Sequence, residues 1–152
     1  MSRVFNLSEL RSNHKDKIIS VSFSCWDLLN PDDIMLLQYI KSNSEILCVG
    51  IHKNTVLYNP ENYYPIQKLE DRITMIESCR YVDYYFIYDT ELTLYNCIKD
   101  LEPNMCFIDN NYKNSSIMSL PIKYVYHPYY NHIESLKTIR NKIYIRETYK
   151  IN

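Results

Sequence analysis

Apolar positions along the chain fall into alternating blocks, short continuous runs separated by stretches of helical spacing. Lys17 to Phe23 (KIISVSF) is rich in Ile and Val and reads as a buried strand. Asn30-Pro31-Asp32-Asp33 then offers an N-cap side chain, a proline at the first helical position and two carboxylates at the positive helix end. It predicts a helix from Pro31 to Asn43. Ile34, Leu37 and Lys41 set its spacing, and Leu36 and Ile40 widen its apolar face. Glu45 to His52 (EILCVGIH) is a near-continuous apolar run of the kind found in parallel sheets covered on both faces. Strand, helix and strand together form a βαβ unit.

Lys53 to Pro65 carries Asn59-Pro60 and Tyr63-Tyr64-Pro65 and reads as a loop. Beyond it the pattern predicts a helix over Gln67 to Cys79, a strand over Asp83 to Tyr88 and a helix over Glu91 to Leu101. A strand over Met105 to Asp109, another over Ile122 to Tyr126 and an amphipathic helix over Ser135 to Ile143 follow. This sustained alternation predicts an α/β fold, a Rossmann-like parallel sheet of about five strands with helices on both faces. Residues 17–152 read as one domain, with 1–16 as an N-terminal extension.

Composition narrows the function classes. The chain has 152 residues, 46% of them hydrophobic and 23% charged, which suits one soluble globular domain. Net charge is -1 and no Lys/Arg stripe is present, so nucleic acid is not an expected partner. No apolar stretch is long enough for a membrane span, and residues 1–17 lack a signal core, so a cytoplasmic location is expected. The five cysteines contain no C-x-x-C pair; most lie in apolar runs and read as reduced, buried thiols. Cys25, past the first strand, sits near acidic residues that would disfavour its thiolate. His52, His127 and His132 show no metal-ligand spacing and read as surface or capping residues. A single glycine, Gly50, argues against a glycine-cradled phosphate site. Abundant Tyr, Asn, Ile and Lys is what an AT-rich genome encodes, such as that of a large DNA virus or some protists.

Phe23-Ser24-Cys25-Trp26-Asp27-Leu28-Leu29-Asn30-Pro31-Asp32-Asp33-Ile34 resembles the G-T-F-D-L-L-H-x-G-H-I signature of glycerol-3-phosphate and related cytidylyltransferases. Leu69-Glu70-Asp71-Arg72 and Arg80-Tyr81-Val82-Asp83 resemble the family's E-x-R helix and R-Y-V-D segment. Phe107-Ile108-Asp109 and Glu134-Ser135-Leu136-Lys137-Thr138-Ile139-Arg140 fall where the family has its fourth strand and its I-S-T-T-x-I motif. The resemblance spans residues 17 to 143, in order. It implies the H-x-G-H nucleotidyltransferase fold, a homodimer, and a nucleotide site drawing on Cys25, Trp26, Asp27, Arg72 and Ser135.

The same alignment shows what is missing. The family's two histidines stabilise charge on the triphosphate as pyrophosphate leaves, helped by amides at a helix N-terminus. They correspond here to Asn30 and Asp33, and the glycine between them to Asp32. A carboxylate about 4 Å from a phosphate oxygen opposes it by roughly 4 kcal/mol at an effective dielectric of 20. The expectation is therefore a catalytically inactive binding or assembly module that needs no cofactor. Its Tyr-rich stretches, Tyr63-Tyr64, Tyr81, Tyr84-Tyr85 and Tyr124 to Tyr130, offer an interface to a second copy or a protein partner. The alternative is an active nucleotidyltransferase using CTP and a phospho-alcohol, in which Mg2+ bridges Asp32 and Asp33 to phosphate. For Asp27 and Arg72 an ion pair or cap that holds the fold is weighed against a ligand-facing role.

Overall fold

The computed structural model describes residues 2–4, 6–53, 65–109, 112–127 and 136–149. In chain order the elements are β1 (Ser2–Arg3), α1 (Leu7–Asn13), β2 (Ile19–Ser24), α2 (Pro31–Ser42), β3 (Ile46–His52), α3 (Leu69–Glu77), β4 (Tyr84–Tyr88), α4 (Glu91–Leu101), β5 (Met105–Ile108), a 3-10 turn (Ser116–Ser119), β6 (Lys123–Tyr126) and α5 (Leu136–Tyr149). All pairings are parallel, in the order β1-β4-β3-β2-β5-β6.

The alternation of side chains along each strand sorts the apolar residues into two cores. Ile46 and Cys48 of β3 face one core with Val21 and Phe23 of β2, under Leu7 and Leu10 of α1 and Leu94, Ile98 and Leu101 of α4. Leu47, Val49 and Ile51 face the other, with Leu37 and Ile40 of α2 and Ile76 of α3. Every residue of β3 is buried, the burial expected of a central strand covered on both sides. Gly50 is required there by packing. A Cβ on it would lie 2.8 Å from both Phe23 Cβ and Phe86 Cζ, so the two neighbouring strands close over it.

The sheet is one strand wider than the sequence predicts, because the polar N-terminal segment is part of the fold. Ser2–Arg3 pairs with Tyr84–Tyr85 at the sheet edge, and α1 is capped by Asn6, whose side chain accepts the Glu9 amide at 3.0 Å. Leu7 and Leu10 lie one turn apart and bury the inner face of α1. A two-residue strand is too short to carry a period-2 signal.

The strand order reverses beside β2, which has β3 on one side and β5 on the other. In open parallel sheets the crevice at such a reversal, at the carboxyl ends of the strands, is where ligands bind. Ser24 to Asn30 lead out of β2 at that point, Asp109 follows β5, and the N-terminus of α2 faces the same end.

Candidate functional site

The turn from β2 into α2 is held by unusual backbone and by buried polar groups. Trp26 and Leu28 adopt left-handed φ angles of 54° and 48°, which L-residues of this size rarely accept. Trp26 is held there by burial of its ring and by its indole N–H, which donates to the Gly50 carbonyl at 2.9 Å. The Leu28 amide donates to Gln67 Oε1 at 2.7 Å.

Asp27, between the two strained residues, is fully buried. Its Oδ1 accepts the Gln67 amide at 2.9 Å, and its Oδ2 accepts the Ile66 amide at 2.9 Å and Arg140 Nη2 at 3.1 Å. One carboxylate thus ties the β2 exit to the approach to α3 and to the first turns of α5. Arg72 of α3 is 1% exposed. Its Nη1 donates to the carbonyls of Cys25 at 2.7 Å and His52 at 2.8 Å and approaches Cys25 Sγ at 3.5 Å, while Nη2 donates to the Lys53 carbonyl at 3.1 Å. Its Nε has no acceptor. The guanidinium therefore bridges the carboxyl ends of β2 and β3.

At the start of α2, Asn30 and Asp33 form a reciprocal capping box. Asn30 Oδ1 accepts the amides of Asp32 at 2.9 Å and Asp33 at 3.4 Å, and Asp33 Oδ2 accepts the Asn30 amide at 3.0 Å. Amides that could receive an anion at this helix end already have acceptors from their own helix. Burial raises the Asp33 carboxyl to about 6, above the ordinary aspartate range, and the neighbouring Asp32 adds to the rise, while the Asn30 amide opposes it. A group titrating there still carries most of its negative charge at pH 7.

One oxygen of Asp33 is turned onto the backbone, and among the described residues no group of three His, Cys, Asp or Glu side chains could hold a metal.

The structure brings Cys25, Trp26, Asp27, Asn30, Asp33 and Arg72 together at the crevice; Ser135, Tyr63, Tyr64, Tyr129, Tyr130 and His132 lie outside the described residues. Two expectations need correction. His52, read as a surface or capping residue, is 2% exposed, with its ring edge-on to Tyr88 at 4.8 Å between centroids. Burial and then Arg72 hold its ring neutral, lowering it to about 4. Tyr85, read as part of an interface set, is buried and donates its hydroxyl to Glu77 at 2.8 Å. His127 is partly buried and lies 3.4 Å from Ser22 Oγ. Gln67 carries no motif of its own and Arg140 ends the segment matched to I-S-T-T-x-I; their part in the β2 turn shows only in their distances from Asp27 and Leu28.

The R-Y-V-D segment lies at the opposite end of the sheet. Asp83 Oδ2 accepts Lys41 Nζ at 2.6 Å and the Leu47 amide at 2.8 Å, and Arg80 stacks over the Tyr81 ring at 5.0 Å. No helix among the described residues is long and apolar enough to cross a membrane.

A six-stranded parallel sheet with a strand-order reversal, and a β2–α2 turn whose crevice faces that reversal, define a nucleotidyltransferase-like fold. Solved structures agree. The lipopolysaccharide core biosynthesis protein from Thermoplasma volcanium superimposes with a TM-score of 0.64 at 18% identity, covering 76% of this chain and 99% of that one. The pantoate-beta-alanine ligase of Francisella tularensis gives 0.58 at 16%, covering 100% and 80%. No family model matches. Among curated proteins, the Bifunctional protein HldE of Campylobacter fetus is 26% identical over 118 residues, 76% of this chain and 26% of that protein. The HldE of Helicobacter pylori is 27% identical over 113 residues, 74% and 24% respectively. The chain thus spans about a quarter of the length of the curated relatives it matches. With these relatives and the motifs in register, the chain is cytidylyltransferase-like, with a degenerate H-x-G-H signature.

Proposed function

We propose that this cytidylyltransferase-like chain is catalytically inactive and serves as a binding or assembly module, working as a homodimer or with a protein partner. The capping box carries this reading. Where an active relative would present histidines to a triphosphate, Asn30 and Asp33 saturate each other's backbone and place negative charge at the helix end. Asp27 and Arg72, the surviving signature residues, are both engaged with the protein's own backbone. No cofactor enters this reading.

The test is calorimetry with CTP and with ATP, each with and without magnesium, beside a pyrophosphate-release assay with a phospho-alcohol. Neither heat nor pyrophosphate is expected from the native chain. The combined changes Asn30→His, Asp32→Gly and Asp33→His should restore CTP binding, because they free the helix amides and remove both carboxylates. Pyrophosphate release by the native chain that is abolished on changing Arg72 or Asp33 would make it an enzyme after all. Sedimentation of the native chain reads the assembly state, and a strict monomer would exclude the homodimer.

A further inference from the structure

Helix α5 carries apolar side chains into solvent. Arg140 anchors its first turns to Asp27, but from Asn141 to Tyr149 every residue is exposed. Among these are Ile143 and Ile145, with Tyr144 at 68% and Tyr149 at 67%. A solvated helix face ordinarily carries charged and polar side chains instead. Ile143, Tyr144 and Ile145 are consecutive, so at about 100° per residue they spread over roughly 200° of the helix circumference. A flat lipid surface takes a single apolar stripe, whereas this spread suits the ridges and grooves of a folded chain.

Charge complementarity selects the partner. Residues 136–152 hold five basic side chains against one acid, and residues 1–135 hold 17 acids against 12 bases. Helix α3 offers acids and exposed apolar area together. Glu70, Asp71, Met75 and Glu77 occupy exposed positions there, with Ile66 exposed just ahead of the helix, while Arg72 and Ile76 turn inward. Asp71 and Met75 lie one turn apart. The Asp27 carboxylate that holds Arg140 also accepts the amides of Ile66 and Gln67, so the root of α5 and the approach to α3 meet at one point. A two-fold axis beside that point carries each α5 onto the α3 of the other copy, an isologous exchange.

On the basis of the homodimer reading, we propose that residues 141–149 form a dimerisation arm that docks on α3 of a second copy. Lys142 and Arg146 lie over Glu70 and Asp71, and the isoleucines and tyrosines cover Ile66 and Met75. A buried aromatic side chain removes roughly 150–250 Å² from water, so two tyrosines and two isoleucines give about 300 Å² per arm. Two arms and the two faces they cover then bury about 1,200 Å², the lower end of the range for stable specific interfaces.

The experiment is sedimentation equilibrium on the full chain, native and changed. The native chain should be a dimer. Changing Ile143→Asp and Ile145→Asp together should raise its dissociation constant at least about 100-fold, because each contact is lost twice per dimer. Arg146→Glu should raise it about tenfold, and adding Asp71→Arg should recover most of that loss, which damage to the arm alone would not allow. In mixtures of isotopically light and heavy chains, carbodiimide should join Lys142 to Glu70 or Asp71 across copies. Cross-links within single copies alone would overturn the exchange. A native dimer left intact by the α5 changes would overturn the arm and leave the homodimer standing on another surface. A native monomer would overturn both, and one that sediments with phosphatidylserine vesicles would assign the arm to a membrane instead.

Discussion

Replacing Asp27 by asparagine separates its two readings most cleanly. In the structure the buried carboxylate accepts two backbone amides and one guanidinium nitrogen. Asparagine keeps one acceptor oxygen but turns an N–H2 group toward an amide that already donates, leaving one buried donor unmatched. Hydrogen bonds to a charged group contribute roughly 1.5–3 kcal/mol each, and an unsatisfied buried amide adds about 1–3 kcal/mol of penalty. Allowing for local relaxation, Asp27→Asn should lose about 3 kcal/mol, lowering Tm by roughly 6–12 °C for a chain of this size. Arg140 is different: its side chain is 24% exposed, and Asp27 keeps both amides without it. Arg140→Ala should therefore lose only about 1 kcal/mol. Urea unfolding followed by circular dichroism at pH 7 measures both. If Asp27→Asn stays within about 0.5 kcal/mol of the native chain, Asp27 is not a structural clamp.

Asn30→Ala removes the acceptor of two helix amides and should lose about 1–2 kcal/mol in the same urea assay, whereas Asn30→Asp should lose far less. Asp33 and His52 act in opposite directions on the pH dependence of stability. Asp33 is held at about 6 against an ordinary 3.8, so the folded state binds its proton more tightly and stability falls as pH rises from about 4 to 6. Asp33→Asn should remove that fall, seen as a difference of roughly 2–3 kcal/mol between the two chains' urea stabilities across the window. His52 is held at about 4 against 6.5, so its contribution is present above pH 6.5 and lost as pH falls toward 4; His52→Leu should flatten that acid limb. Gly50→Ala should lose at least about 1–3 kcal/mol, because Phe23 and Phe86 must both move; a neutral result would refute the packing account.

Strand β3 and helix α4 are plain in the sequence because a seven-residue buried run and a capped amphipathic stretch each carry a strong local period. The Asn30-Pro31-Asp32-Asp33 start of α2 is equally plain, and the capping box is the same signal read at atomic distance. Strand β1 is hidden because two residues have no periodicity; Asn6 with Leu7 and Leu10 is the trace that α1 left. At the site, Asp27 and Arg72 stand out through the motif they share with the cytidylyltransferases. Their partners do not. Arg140 is 113 residues from Asp27, and the Arg72 contacts are mostly to carbonyls, which every residue has. Burial of His52 was concealed for a related reason: it ends an apolar run, where a polar residue ordinarily marks the emergence of the chain.

The left-handed backbone at Trp26 and Leu28 gives the Asp27 clamp a further meaning. Each such residue stores about 1–2 kcal/mol, and this pair brackets the very carboxylate that holds the segment in place. The turn is a compressed spring, held by the Trp26 indole, the Leu28 amide and the Asp27 carboxylate. Any event that draws the partners of Asp27 away loosens the turn at the crevice mouth.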